Sequence, residues 1–135
     1  MTFFVDTSFW IALAVPRDQH HRHARTIVQG LAAADRLVTS EFVLIEVLNY
    51  FSERGEASRH EAVSLVKSLA NDPRVRIVAL SSEMYLLGLR RYERSFDKGW
   101  SLTDCTSFLL MEAFDIDWAL AFDDHFKQAG FQIAR

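Results

Sequence analysis

The chain has 135 residues, half of them hydrophobic, 24% charged and only two proline, which suits a single domain spanning residues 1–135 with a real core and argues against disorder. Its longest apolar run, residues 9–15, is too short to span a bilayer. No basic stretch with a signal-like apolar run opens the chain, and the lone Cys105 excludes an internal disulfide or a multi-cysteine zinc site, so the expected location is the cytoplasm, away from membranes.

The net charge of −3 gives no broadly basic nucleic-acid face. The glycines at 30, 55, 88, 99 and 130 lie too far apart for a dinucleotide fingerprint or a phosphate-cradling loop.

In chain order, residues 2–5 form an apolar run closed by Asp6, a first strand. Residues 7–14 predict a short helix stopped near Pro16. Residues 18–34 read as a helix with Ala24, Ile27, Val28 and Leu31 on one face, and 36–38 as a short strand. Ser40 can cap a helix running to about residue 54, before Gly55.

A helix over 57–70 carries Ala62, Leu65, Val66 and Leu69 at helical spacing and breaks at Asn71-Asp72-Pro73. Residues 75–80 are β-branched and strand-like. Helices follow over 81–96 and 101–114, a buried strand over 118–122, a short helix over 123–128 and a last strand over 131–134. Strands separated by helices require parallel pairing, hence an α/β three-layer sandwich with a central parallel sheet flanked by helices. Ligands of such sheets bind beyond the carboxyl ends of the strands, where Asp6 and Asp123 fall.

Four carboxylates stand out: Asp6, Glu46, Asp104 and Asp123. Each has a plain structural explanation. Asp6 and Asp123 can cap the helices after them, and Ser101-Leu102-Thr103-Asp104 fits a capping box. Glu46 has Phe42, Val43, Asn49 and Tyr50 as helical neighbours; a glutamate on so apolar a face needs a partner, and one salt bridge would suffice. As a set, the acids point further. Like charges gather only where a cation holds them, and oxygen-only ligands select Mg²⁺ or Mn²⁺ over zinc. Such ions polarise phosphodiesters and activate water, the chemistry of a metal-dependent nuclease without a covalent nucleophile.

Over nearly its whole length the chain resembles the PIN-domain family, and within it the toxin half of VapBC-type toxin–antitoxin pairs. Phe4-Val5-Asp6-Thr7-Ser8 resembles the opening motif, whose aspartate is a metal ligand and whose hydroxyls support the site. Glu46-Val47-Leu48-Asn49 resembles the second motif, Ser101-Leu102-Thr103-Asp104-Cys105 the third and Ala121-Phe122-Asp123-Asp124-His125-Phe126 the fourth. The resemblance implies Asp6, Glu46, Asp104 and Asp123 as catalytic metal ligands, with Thr7, Ser8, Asn49 and Ser101 in support. It also implies an RNA substrate, a cognate antitoxin protein and a homodimer. Ala121 stands where the fourth motif usually has threonine or serine, so one supporting hydroxyl is missing. Either Asp123 or its neighbour Asp124 could face the metal; the resemblance to the fourth motif implies Asp123 in the pocket and Asp124 at solvent or capping, and strand alternation agrees.

Arg90, Arg91, Arg94 and Lys98 form the densest basic stretch, either RNA phosphate contacts or a solvated helix face. His20, His21 and His23 are expected on a solvated helix face, since nothing completes a tetrahedral site; His125, after the fourth motif, could contact a substrate but is expected on the surface. Trp10, Trp100 and Trp118 are expected in the core or an interface; Trp100, beside the third motif, could also stack a base. Cys105 is expected as a small core residue.

Two rival functions stay open. A phospho-acceptor receiver domain shares the acidic parallel α/β plan but leaves Glu46 and Asp104 unexplained. A catalytically silent PIN fold could serve as an RNA-binding or assembly module.

Overall fold

A computed structural model describes residues 1–134. Five parallel strands form one sheet: β1 (Thr2–Val5), β2 (Arg36–Ser40), β3 (Val75–Val78), β4 (Trp118–Leu120) and β5 (Gln132–Ala134), in the order β3-β2-β1-β4-β5. Seven helices flank it: α1 (Thr7–Ala14), α2 (His21–Gln29), α3 (Glu41–Phe51), α4 (Glu56–Asn71), α5 (Ser82–Arg94), α6 (Leu102–Ala113) and α7 (His125–Gln128). Helix α3 packs against α1, α4 and α6, and α5 lies along α6. This is the three-layer parallel sandwich that alternating strands and helices demand.

Strand β1 is central and pairs with β2 and β4, Phe4 opposite Val38 on one side and Ala119 on the other. Burial on both faces explains why it is continuously apolar rather than alternating. Phe4, Val5, Phe9, Val43, Val47, Phe108, Leu120 and Phe126 are fully buried, each such side chain contributing about 1.5–3 kcal/mol. Buried polar groups are paired through short relays, as where the Trp10 indole donates to Thr39 Oγ1 (3.2 Å), which donates to Val5 O (3.0 Å); the buried Ser107 hydroxyl is an exception. No helix of the described residues is long and apolar enough to cross a membrane.

Several ends differ from the sequence reading, each for a local reason. The helix expected over 18–34 begins only at His21, because Asp18 accepts the His20 N–H in a turn (2.8 Å). It stops at Gln29, and Asp35 then closes a turn onto the Ala32 N–H (2.8 Å). Strand β2 runs on to Ser40 because Thr39 and Ser40 pair with Ile77 and Val78. Strand β4 ends at Leu120, since the Phe122 N–H leaves the ladder for the Ser8 hydroxyl (3.1 Å). The last helix starts at His125, after Asp123 accepts the His125 N–H (3.0 Å). Ser40 and Ser81 are N-caps, accepting from Val43 and Met84.

Candidate active site

The carboxyl edge of the sheet brings the four acids together. Asp6 follows β1 and Asp123 follows β4. Glu46 projects from the second turn of α3, and Asp104 from the first turn of α6. With Thr7, Ser8, Ile11, Ser101 and His125 they line one cavity of about 320 Å³. A cavity of the same volume at the opposite edge is lined by Thr2, Arg36, Val75, Arg76, Phe114 and their neighbours, with no acid among them. Only the first of the two gathers the acids.

Asp6 begins α1 but does not cap it with its side chain. Its carboxylate is 3% exposed and accepts from the Ser8 hydroxyl (3.2 Å). Burial pushes its pKa up to about 8; the charges of Asp123 and Asp104 add to that, and the Thr7 backbone and Glu46 act oppositely and more weakly, lowering and raising it. The charged groups that perturb Asp6 are thus the other three acids.

Asp104 has two jobs. The Ser101–Asp104 capping box is complete: Ser101 N–H donates to Asp104 Oδ2 (3.0 Å) and Asp104 N–H to the Ser101 hydroxyl (3.0 Å). The same carboxylate is buried and lines the pocket, so cap and site are one residue. Burial raises its pKa, against the lowering effect of the Ser101 N–H and of His125. Glu46 Oε1 accepts the Thr7 hydroxyl at 2.6 Å, which supplies the partner its apolar face demanded.

Asp123 lines the pocket, whereas Asp124 is exposed at the start of α7 and makes no side-chain cap. Asn49 is exposed and lies outside the lining: three residues beyond Glu46, the helix has turned it past the rim.

His125 is the residue the sequence underrated. Its Nδ1 stands 2.8 Å from Asp104 Oδ2 and 3.8 Å from Asp123 Oδ1, so it is a wall of the pocket, not a surface histidine. Only the placement of α7 against α6 reveals this.

The basic stretch divides. Arg91 donates to Glu112 Oε1 (2.6 Å) and lies over the Phe108 ring, a packing role. Arg90 and Arg94 are exposed, and Lys98 lies 3.8 Å from Asp97 in the loop leading to α6. The His20–His23 group is not wholly solvated. His20 stacks on Phe122, and His21 Nδ1–H donates to Ala12 O (2.8 Å). Trp100 packs on Phe108 and donates to Gln128 Oε1 (3.1 Å). Cys105 is fully buried.

Among the described residues, no three His, Cys, Asp or Glu side chains are drawn closely enough together to enclose an ion as they stand.

Residues 3–132 match the PIN domain. The chain belongs to the PIN-domain family. This PIN domain is 30% identical over 128 residues to the 23S rRNA-specific endonuclease VapC20 of Mycobacterium tuberculosis, covering 95% of this chain and 94% of that protein. It is similar to the crystal structure of the same protein, described as a sarcin–ricin loop cleaving toxin, with a TM-score of 0.85, 29% identity and 96% and 95% of the two chains covered. A more distant match is VapBC2 of Rickettsia felis, solved with a DNA fragment from their promoter. The TM-score there is 0.71 at 14% identity over 99% and 98% of the chains, a likeness of fold alone.

Proposed function

We propose that this PIN domain is a divalent-metal-dependent endoribonuclease that hydrolyses RNA phosphodiester bonds, and that it acts in the cytoplasm as the toxin of a toxin–antitoxin pair. The observation that carries the reading is the convergence of Asp6, Glu46, Asp104 and Asp123, from four separate segments, on one cavity. The donor set fits a hard cation: every acid offers oxygen, and burial first, then the charges of the neighbouring acids, raise the pKa of Asp6. Asp6, Glu46, Asp104 and Asp123 would hold Mg²⁺ or Mn²⁺, which supplies Lewis acidity and a more acidic water when bound.

The chain's own residues orient the reaction. Ser8 holds Asp6, Thr7 holds Glu46, and Ser101 with His125 holds Asp104 through Oδ2, leaving Oδ1 toward other partners. Water adds to phosphorus as its proton passes to a pocket carboxylate, one ester P–O bond breaks, and the leaving ribose oxygen takes up a proton to become a hydroxyl. Arg94, the last residue of α5, and Lys98, in the loop before α6, are candidates for contact with RNA phosphates.

The similarity to VapC20 makes large-subunit rRNA at the sarcin–ricin loop the first RNA to try. Purified rRNA should be cut at one or a few positions by the protein in Mn²⁺ or Mg²⁺. Cutting should stop in chelator and in Asp6→Asn or Asp104→Asn. Metal-independent cutting, or full activity of both variants, would refute the proposal. The partner proposals, a cognate antitoxin and a homodimer, have separate support. The antitoxin follows from the relatives. The dimer is favoured by the exposed apolar residues Tyr85, Leu89 and Tyr92 along α5 and Phe96 just beyond it, the last 90% exposed. Light scattering of the parent and of Leu89→Glu tests it.

A further inference from the structure

A chain of net charge −3 that brings RNA phosphates to four carboxylates needs cationic surface close by. Most described arginines are committed elsewhere, to an acid, a backbone carbonyl or an aromatic ring. Among the described residues, five arginine side chains have no such partner: Arg90 and Arg94 on α5, and Arg17, Arg22 and Arg25 in and before α2. The second group belongs to the segment Pro16-Arg17-Asp18-Gln19-His20-His21-Arg22-His23-Ala24-Arg25, with three arginines, three histidines and one acid.

This segment is fixed beside the acidic pocket. The His20 ring stacks face to face on Phe122, with centroids 4.3 Å apart and planes 4° from parallel, and Phe122 stacks in turn on Phe9 at 5.6 Å. Phe122 immediately precedes Asp123. Its backbone N–H donates to the Ser8 hydroxyl (3.1 Å), which donates to Asp6 (3.2 Å). The outer ring of a three-ring stack is therefore linked to two of the four acids by a single residue and a single hydroxyl. Just along α2, Arg22 and Arg25 line a cleft of about 220 Å³ with no acid in its walls.

We propose that this flank binds single-stranded RNA, with a nucleobase next to the scissile phosphate stacking on His20 and the following phosphates lying against Arg22 and Arg25. The inference rests on the ribonuclease reading and adds the surface that holds the strand. A ring platform at the start of a helix whose next turn carries a cationic cleft suits unpaired nucleotides, whose bases can leave their own stack. An acidic peptide would use the arginines but gain nothing from the ring.

The test is fluorescence anisotropy with a labelled single-stranded RNA of roughly ten nucleotides, within the span of one small binding domain. Chelator prevents metal-dependent cleavage, and several salt concentrations are compared. His20→Ala should weaken binding about 5- to 100-fold with an unchanged salt slope, and His20→Phe should restore it. Arg22→Ala/Arg25→Ala should make the slope shallower by about 1.4, roughly 0.7 for each lost phosphate contact on a single strand. An abasic oligomer should bind the parent as weakly as intact RNA binds His20→Ala. Melting curves exclude misfolded variants.

Parent-like binding by His20→Ala, equal binding of the abasic strand, or an unchanged slope in the double variant would overturn the proposal. So would poly-glutamate binding the parent more tightly than RNA, which would assign the surface to an acidic peptide. If the parent cuts RNA in Mn²⁺ while these variants bind normally, the flank falls and the ribonuclease stands. If the parent neither binds nor cuts RNA, both fall.

Discussion

Asp6→Asn keeps the shape of the most deeply buried acid and removes its charge. In the metal-free fold Asp6 is held at about 8, against an ordinary value of 3.8. Between these limits the folded state keeps a proton that the unfolded state has lost. The stability from this group is complete below the unfolded pKa and falls as pH rises towards the folded one. At 1.36 kcal/mol per unit, the loss reaches about 4 kcal/mol by pH 7.

Asparagine does not titrate, still accepts from Ser8 through its oxygen, and offers its amide to the neighbouring carboxylates. In chelator, Asp6→Asn should match the parent near pH 4 and exceed it increasingly up to pH 8. At pH 7 the advantage should be roughly 10 °C in Tm, taking about 3 °C per kcal/mol for a domain of this size. Mn²⁺ at a hundred times its Kd should stabilise the parent by about 2.7 kcal/mol and the variant far less, with RNA cleavage lost. Melting curves across pH, with and without Mn²⁺, decide it. A variant less stable than the parent at pH 7 in chelator, with the same pH profile, would refute the electrostatic account of the pocket.

His125 is a positioning residue for Asp104, so His125→Ala should lower Mn²⁺ affinity and cleavage by about 10- to 100-fold; His125→Asn, which keeps a donor near Nδ1, should recover much of both, by calorimetry and RNA assay. Asp123→Asn should abolish cleavage while Asp124→Asn stays within about twofold of the parent, because only Asp123 lines the cavity. Gly88→Ala would place a methyl 2.6 Å from Thr106 Cγ2. Overpacking of about 1–3 kcal/mol should outweigh the helix-propensity gain of about 1 kcal/mol, and in a Thr106→Ser background the penalty should shrink or reverse in thermal melts.

Much of this was legible in the sequence because it depends on local pattern. The strand that ends in Asp6, the caps at Ser40 and Ser81, and the alternation of strands and helices follow from residue types a few positions apart. The four acids were legible as a set because two fall at strand ends, where such sheets bind ligands. What escaped depends on tertiary placement. Nothing near His125 shows that α7 turns its ring onto Asp104, 21 residues earlier in the chain. Nothing near Arg91 reveals Glu112 as its partner. The cap and ligand readings of Asp104 looked like rivals in one dimension, and a carboxylate with two oxygens and several lone pairs serves both.

The central claim is that these four carboxylates hold a divalent cation. Crystals grown or soaked in Mn²⁺ and measured for anomalous scattering test it directly. The account predicts a peak in this cavity with oxygens of Asp6 and Asp104 about 2.0–2.3 Å away, and none in Asp6→Asn. Saturating Mn²⁺ that leaves the cavity without a peak, or binds away from these acids, would contradict it.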